Sequence, residues 1–387
     1  MPEAVIVAAV RSPIGRAVKG SLAEVRADDL LAGVLRGVLE RIPEVRPEMI
    51  QDVICGCGLP GAEQGFNIGR VAGILAGLDV PGTTVNRYCA SSLQTTRMAF
   101  HAIRAGEGDC FISAGVECVS RFVYGMADPP DNQNPRLAPG NAEGLPDVYI
   151  QMGQTAENVA RAKGVSRQEQ DGYAVKSQGN AAHARETGFF AREIVPVRLP
   201  DGRLWDADDG IRPDTTMEVL ATLKPVFRED GTVTAGNSCP LNDGAAAVVV
   251  MSDGRARELG LRPLARIVAT GLSALRPEIM GMGPVEAVGE ALGRARMAIG
   301  DVDVVELNEA FAAQVVPVCR ELGLDPLDGR VNPHGGAIAL GHPFGMTGAR
   351  ITATLLNDLA TLDATVGLET MCVGGGQGMA MIVERLA

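Results

Sequence analysis

Positive charge is in short supply in this chain. Thirty-five Lys and Arg stand against 47 Asp and Glu, a net charge of −12. A protein of that sign is repelled by a phosphate polyanion, which excludes a general nucleic-acid binder but leaves room for a local basic patch that holds a phosphorylated small molecule. Long apolar runs are missing too: no window reaches the about 18 uncharged apolar residues that a membrane span needs. The apolar opening Pro2–Arg11 lacks a basic leader and soon meets an arginine, so it reads as a first strand and not as a secretory segment. The eight cysteines (Cys55, Cys57, Cys89, Cys110, Cys118, Cys239, Cys319 and Cys372) contain no CxxC pair. That excludes the usual zinc spacing, and a chain of this size needs no disulfide staples, so free thiols and a cytoplasmic, reducing compartment are expected. Aromatic residues make up only 4% of the chain, with a single Trp. Glycine, at 48 residues of 387, exceeds the usual share of about 7%, so much of the backbone must turn tightly or pack closely. At this length two or three domains are expected.

Short strands alternate with helices over residues 1–119. Val5–Val10, Asp52–Cys57 and Cys110–Gly115 read as strands; Ala27–Arg41, Asn67–Ala76 and a stretch from Cys89 to about Ala105 read as helices. Alternation of this kind predicts an α/β core with a sheet covered on both faces. Residues 120–243 differ. Ala127–Asp147 is rich in Pro, Gly, Asn and Asp and reads as loop, whereas Met152–Gly188 is helical, with Ser166 as an N-cap ahead of Glu169. This tract is predicted to be an inserted loop-and-helix domain. From 244 to 387 the alternation resumes, with buried strands at Ala245–Met251, Leu264–Gly271 and Val302–Asn308. The two outer tracts echo each other. Cys89 opens a helix that leads to a strand at Phe111, and a helix after His342, with Pro343 in its first position, leads to a strand at Val366. Two pseudo-symmetric halves would bring these helix mouths together.

Four residues stand where chemistry is possible. Cys89 begins a helix, where the dipole lowers a thiol's pKa, although a small buried hydrophobe fits the same place. Of the four histidines, His101 and His183 lie on helices as packing or solvent-facing residues. His334 and His342 fall in the Gly-rich stretch Asn332–Arg350, and His342, at a helix mouth, is the candidate base. Cys372 precedes three glycines, and N–H groups near Gly374 are placed to hold an oxyanion. Asn308 stands at a strand end.

"CAS" at Cys89–Ser91, "NEAF" at Asn308–Phe311, "GHP" at Gly341–Pro343 and "CVG" at Cys372–Gly374 resemble, in order and spacing, the motifs of the thiolases, the acetyl-CoA acetyltransferase and 3-ketoacyl-CoA thiolase group. Thr234–Met251 resembles that family's lead-in to its second half. The resemblance covers essentially the whole chain. It implies a five-layered α-β-α-β-α fold of two pseudo-symmetric mixed-sheet halves with an inserted loop domain that holds coenzyme A. It further implies that Cys89 takes the acyl group, with His342 as its base. N–H groups of Cys89 and Gly374 would meet the oxyanion, Cys372 would move the proton at the alpha carbon, and His342 with a water on Asn308 would hold the enolate oxygen. Arg212 would lie by the nucleotide, and Met152, Ala235, Cys239, Ala310 and Phe311 along the acyl and pantetheine path. Acyl-CoA and CoA are then substrates. Neither a cofactor nor a metal is needed, no nucleic acid or membrane partner is expected, and the chain should be a homodimer or homotetramer.

Four positions depart from the short-chain biosynthetic pattern: Gln151 where a His is usual, Cys239 and Val219 where serines are usual, and His334 where an Asn is common. These favour a degradative, as in fatty-acid β-oxidation, or broad-range 3-ketoacyl-CoA thiolase over a strict acetoacetyl-CoA enzyme. A ketoacyl synthase of the same fold would lack a thiol at Cys372. A non-catalytic CoA-binding module would lack Cys89 or His342, and no local signature supports a papain-like hydrolase.

Overall fold

A computed structural model describes residues 1–122, 133–137, 139–141 and 143–386. Along the chain the first half contains β1 (Ala4–Arg11), α1 (Ala27–Glu40), β2 (Asp52–Gly56), α2 (Ile68–Leu75), β3 (Gly82–Val85), α3 (Ser91–Ala105) and β4 (Cys110–Cys118). The insert contributes α4 (Met152–Lys163) and α5 (Arg167–Glu186). Then come β5 (Asn242–Ser252), β6 (Ala265–Ala274), α6 (Gly283–Ala295), β7 (Val304–Leu307), α7 (Ala312–Glu321), α8 (Thr347–Thr361), β8 (Val366–Val373) and β9 (Gln377–Arg385).

The strand order is β3-β2-β4-β5-β1 in one half and β6-β9-β8-β7 in the other, joined where Val5 and Ile6 of β1 pair with Arg266 and Ala265 of β6. The halves repeat one plan. In each, the strands at the outer edge run parallel (β3 with β2 and β2 with β4; β7 with β8) and the other pairs run antiparallel. Val331, bridging in parallel to Val305, stands where β3 stands in the first half.

Period-2 alternation of the strands builds the layers. On β5, Val248 and Val250 face a central core with Leu93 of α3 and Ile351 of α8, while Val249 and Met251 face Leu31 of α1 and Ile68 of α2. On β9, Met379 and Met381 face the central core, and Ala380 and Ile382 face Val288 of α6 and Val316 of α7. The order is therefore helix, sheet, paired central helices, sheet, helix.

Two sequence expectations change. The strand expected at Ala245–Met251 as part of the second half, from residue 244 onward, runs over Asn242–Ser252 and lies between β1 and β4 of the first. An apolar run buried on both faces carries no mark of which sheet receives it. The helix after His342 starts at Thr347, four residues beyond Pro343. Pro343 instead opens a turn in which its carbonyl accepts from the N–H of Met346 and the hydroxyl of Thr347. Of the loop Ala127–Asp147, residues 127–132, 138 and 142 lie outside the described residues.

In the insert, the Ser166–Glu169 capping box forms at the start of α5. Arg11 at the end of β1, fully buried, fastens the insert to the sheet. Its guanidinium donates to Asp208 through two bonds of 2.8 and 2.9 Å and to Glu193 at 2.6 Å. Removing one partner of such a cluster strands the others without water. Arg11→Ala is expected to cost about 3–5 kcal/mol of stability in urea unfolding. Arg203→Ala, which breaks an exposed pair with Asp201, should leave the transition nearly unchanged.

Candidate active site

β3 runs into a 3-10 turn, Tyr88–Ala90, that delivers Cys89 to the mouth of α3. Tyr88 sits at φ +43°, a costly conformation for a bulky residue, and the surroundings hold it there. Its N–H donates to Asn86 Oδ1 at 2.8 Å, and Ser91 Oγ accepts from Arg87 N and donates to Tyr88 O. The second half closes over this turn. Arg87 Nη1 donates to Gln377 Oε1 at 2.8 Å, and the Tyr88 ring packs on Gly374 of the β8–β9 hairpin. In that hairpin Gly375 and Gly376 have φ of +75° and +81°, values that favour glycine.

Cys89 is 8% exposed. Burial pushes its thiol up to about 12, against the smaller pull of the N–H groups of Gly374 and of Cys89 itself; the Glu117 carboxylate adds to the rise. The expected lowering at a helix mouth is thus overridden by desolvation, and the resting thiol keeps its proton. The same two N–H groups are the oxyanion donors named from the sequence.

His342 is buried, and its protonation is readable from its partners. Thr347 Oγ1 spends its one proton on Pro343 O at 2.8 Å, so it accepts from His342 Nδ1 at 2.7 Å. The proton therefore lies on Nδ1, and Nε2 carries the free lone pair, 3.4 Å from Asn308 Nδ2. Burial, with the charge of Arg350, lowers the imidazole to about 3, so it is neutral at physiological pH. The ring is held by its backbone as well, since His342 N donates to Asn242 Oδ1 at 3.0 Å. Thr347 and Asn242 were missed in the sequence. The hydroxyl five residues after the histidine was a visible signal, whereas Asn242 is a hundred residues away.

Asn308 follows β7, and its N–H donates to Thr370 O of β8, the strand that carries Cys372. Its buried Oδ1 has no hydrogen-bond partner among the described residues. The next residue, Glu309, accepts from Tyr173, Ser177, Asn332 and the N–H of Ile338, so it anchors the "NEAF" turn to α5. Cys372 is fully buried and close enough to Cys89 and Cys239 for their charges to raise its pKa further, beyond the larger effect of burial.

Two hollows flank these groups. One, of about 390 Å³, is lined by Cys89, Tyr88, Gly374, Met152, Leu59, Ile150 and Phe344 among others. Phe344 meets the His342 ring edge-on at 5.1 Å. The other, of about 460 Å³, is lined by Arg212, Ala235, Val219 and Arg16 among others. Between them in the chain, Cys239 N donates to Ala310 O, and Ser238 bridges to Phe311. Ala310 and Phe311 line neither hollow and are buried; the Ser238 hydroxyl is turned to Thr234 O. His334 stands apart from this site. It bonds Asp358 and stacks on Phe189 at 3.7 Å. His101 and His183 are exposed.

The thiolase N-terminal domain family matches residues 4–254 and the thiolase C-terminal domain family residues 261–385. A 3-ketoacyl-CoA thiolase of Aeromonas hydrophila subsp. hydrophila is 46% identical over 394 residues, covering 100% of both chains. Another, of Bacillus subtilis, is 45% identical over 99% of this chain and 100% of its own. The crystal structure of the Bacillus anthracis acetyl-CoA acetyltransferase superposes with a TM-score of 0.90 at 39% identity, over 100% of this chain and 99% of that one. With both domains matched and the two halves meeting over one thiol, the chain belongs to the thiolase family.

Proposed function

We propose that this thiolase cleaves 3-ketoacyl-CoA with CoA, as in fatty-acid β-oxidation, and runs the reverse Claisen condensation through the same groups. The observation that carries the reading is that the Cys89 thiol of the first half and Gly374 of the second, on the hairpin that follows Cys372, line one cavity. In the cleavage direction Cys89 Sγ bonds the 3-keto carbon while its proton passes to His342 Nε2. The oxyanion forms against the N–H groups of Cys89 and Gly374. On collapse the C2–C3 bond breaks. The departing enolate oxygen is met by the newly protonated Nε2 and by a water on Asn308, and Cys372 gives C2 its proton. CoA then attacks the acyl-Cys89 thioester while Cys372 takes its proton, and Cys89 leaves as a thiol by taking back the proton held on His342 Nε2. Thioester is exchanged for thioester, so neither step is steeply uphill.

We assign Arg212 to the nucleotide, its planar fork suited to adenine or phosphate; it shares a hollow with Ala235. Cys239, Ala310 and Phe311 are assigned to the pantetheine arm and Met152 to the acyl side. The apolar lining of the Cys89 cavity (Leu59, Val148, Ile150, Met152, Phe344) favours acyl chains longer than acetyl. Acyl-CoA and CoA are the only small molecules required, and the eight free thiols suit the cytoplasm.

Steady-state rates with acetoacetyl-CoA and a C8–C16 3-ketoacyl-CoA series test the assignment. The longer chains are expected to have the higher kcat/KM, and dialysis against EDTA should leave it unchanged. Cys89→Ala should lose both turnover and covalent acyl label. Label that survives in Cys89→Ala and vanishes in Cys372→Ala would exchange the two roles.

The raised thiol also sets a pH dependence. Below about 12 the thiolate fraction of Cys89 grows with each step of pH, so its alkylation by iodoacetamide in the free enzyme should climb through pH 10 with no plateau near 8. His342, neutral above about 3, adds no inflection in that range. A plateau near pH 8 would mean that an ordinary, solvated thiol reacts.

We further propose a homodimer or homotetramer built on the edge strand β3. Asn67 caps α2 and donates to Gly82 O of that strand, and beside it Phe66 is 78% and Ile74 58% exposed. Light scattering should give an oligomer for the wild type and a smaller particle for Phe66→Lys.

A further inference from the structure

Glu117, near the end of β4, is fully buried and takes no part in the chemistry above. Its Oε2 accepts from Gly58 N at 2.8 Å and Gly345 N at 2.9 Å. Its Oε1 accepts from Gln64 Nε2 at 2.7 Å and Leu59 N at 3.3 Å, with the Cys57 thiol at 3.7 Å. Everything that faces the carboxylate is a donor, which suits an ionised acceptor and leaves no place for an acid proton. Two of these donors come from Gly58 and Leu59, in the first half. Another comes from Gly345, in the second, on the turn that follows His342. Gly58, Leu59 and Phe344 all line the Cys89 cavity. Side chains are excluded from the junction: a Cβ on Gly345 would stand 2.3 Å from Val116 O. One carboxylate thus ties together two walls of the cavity that belong to different halves.

We propose that Glu117 is a positioning residue that fixes the separation of these two walls and thereby decides which acyl chains the cavity accepts. The inference rests on the reading of the Cys89 cavity as the acyl site. Glu117→Gln turns one acceptor into an NH₂ that faces N–H groups, so a wall must move. Gln64→Ala removes one donor and keeps the charge.

In Glu117→Gln, KM for a C8–C16 3-ketoacyl-CoA is expected to rise about tenfold, roughly 1.4 kcal/mol, while acetoacetyl-CoA is affected less. Gln64→Ala should show the same chain-length trend with a smaller rise, and it decides the matter alone if Glu117→Gln does not fold. Because the Glu117 charge raises the Cys89 thiol, its loss should also move iodoacetamide alkylation of Cys89 toward lower pH in Glu117→Gln and not in Gln64→Ala. A fall in kcat that is equal at every chain length, with KM unchanged, would reduce Glu117 to a structural residue and overturn the proposal. So would a wild-type chain-length profile. Either result, in a variant that still forms acyl-Cys89, leaves the proposed reaction standing.

Discussion

Everything at this site depends on how closely the two halves approach each other. The central helices α3 and α8 touch backbone to backbone: a Cβ on Gly348 would stand 2.3 Å from Leu93 N, and Ala349 N donates to Ser92 Oγ at 2.9 Å. Helices normally keep 8–10 Å between axes because side chains stand between them. Removing that spacer at one point draws the mouth of α3 toward the mouth of α8. The turn that carries Cys89 and the turn that carries His342 then border a single cavity. Since interiors are close-packed, a methyl group inserted at this seam cannot be absorbed locally, and it would separate the reacting groups.

Within that seam the two reacting groups are kept electrically neutral at rest. The thiol retains its proton, the imidazole has none to spare, and the nearest carboxylate is fully engaged by N–H donors. Charge appears only when a substrate carbonyl supplies somewhere for it to go, and the waiting N–H groups then gain the most. The Thr347–His342 bond serves this economy: it settles which nitrogen holds the proton before any substrate arrives.

The parts of this arrangement that lie close together in sequence were legible there. The Cys89 turn, the strand-end Asn308 and the glycines after Cys372 each carry a local signal of strand, turn and helix mouth. The repeat of the two halves could be read from helix-to-strand spacing. What escaped reading depends on distant partners. Asn242–Ser252 is apolar on both faces, so its text does not say which neighbours it will have. Glu117 looks like an acidic interruption of a buried strand, because its donors lie about 60 residues upstream and more than 200 downstream. The pKa of Cys89 was misjudged for a related reason. A helix mouth is a local feature, whereas the desolvation that outweighs it comes from the whole fold.

The placement of β5 bears on how the chain is made. Strand β5 lies inside the first sheet, bonded to β1 on one side and β4 on the other, yet it follows the entire insert. A nascent chain leaving the ribosome must therefore extend to Ser252 of its 387 residues before that sheet can close. Until then β1 and β4 wait with open flanks, exposed to neighbouring nascent chains. The second sheet has no such delay, since β6 to β9 emerge as one uninterrupted tract. During synthesis the vulnerable interval falls in the half that supplies the nucleophile.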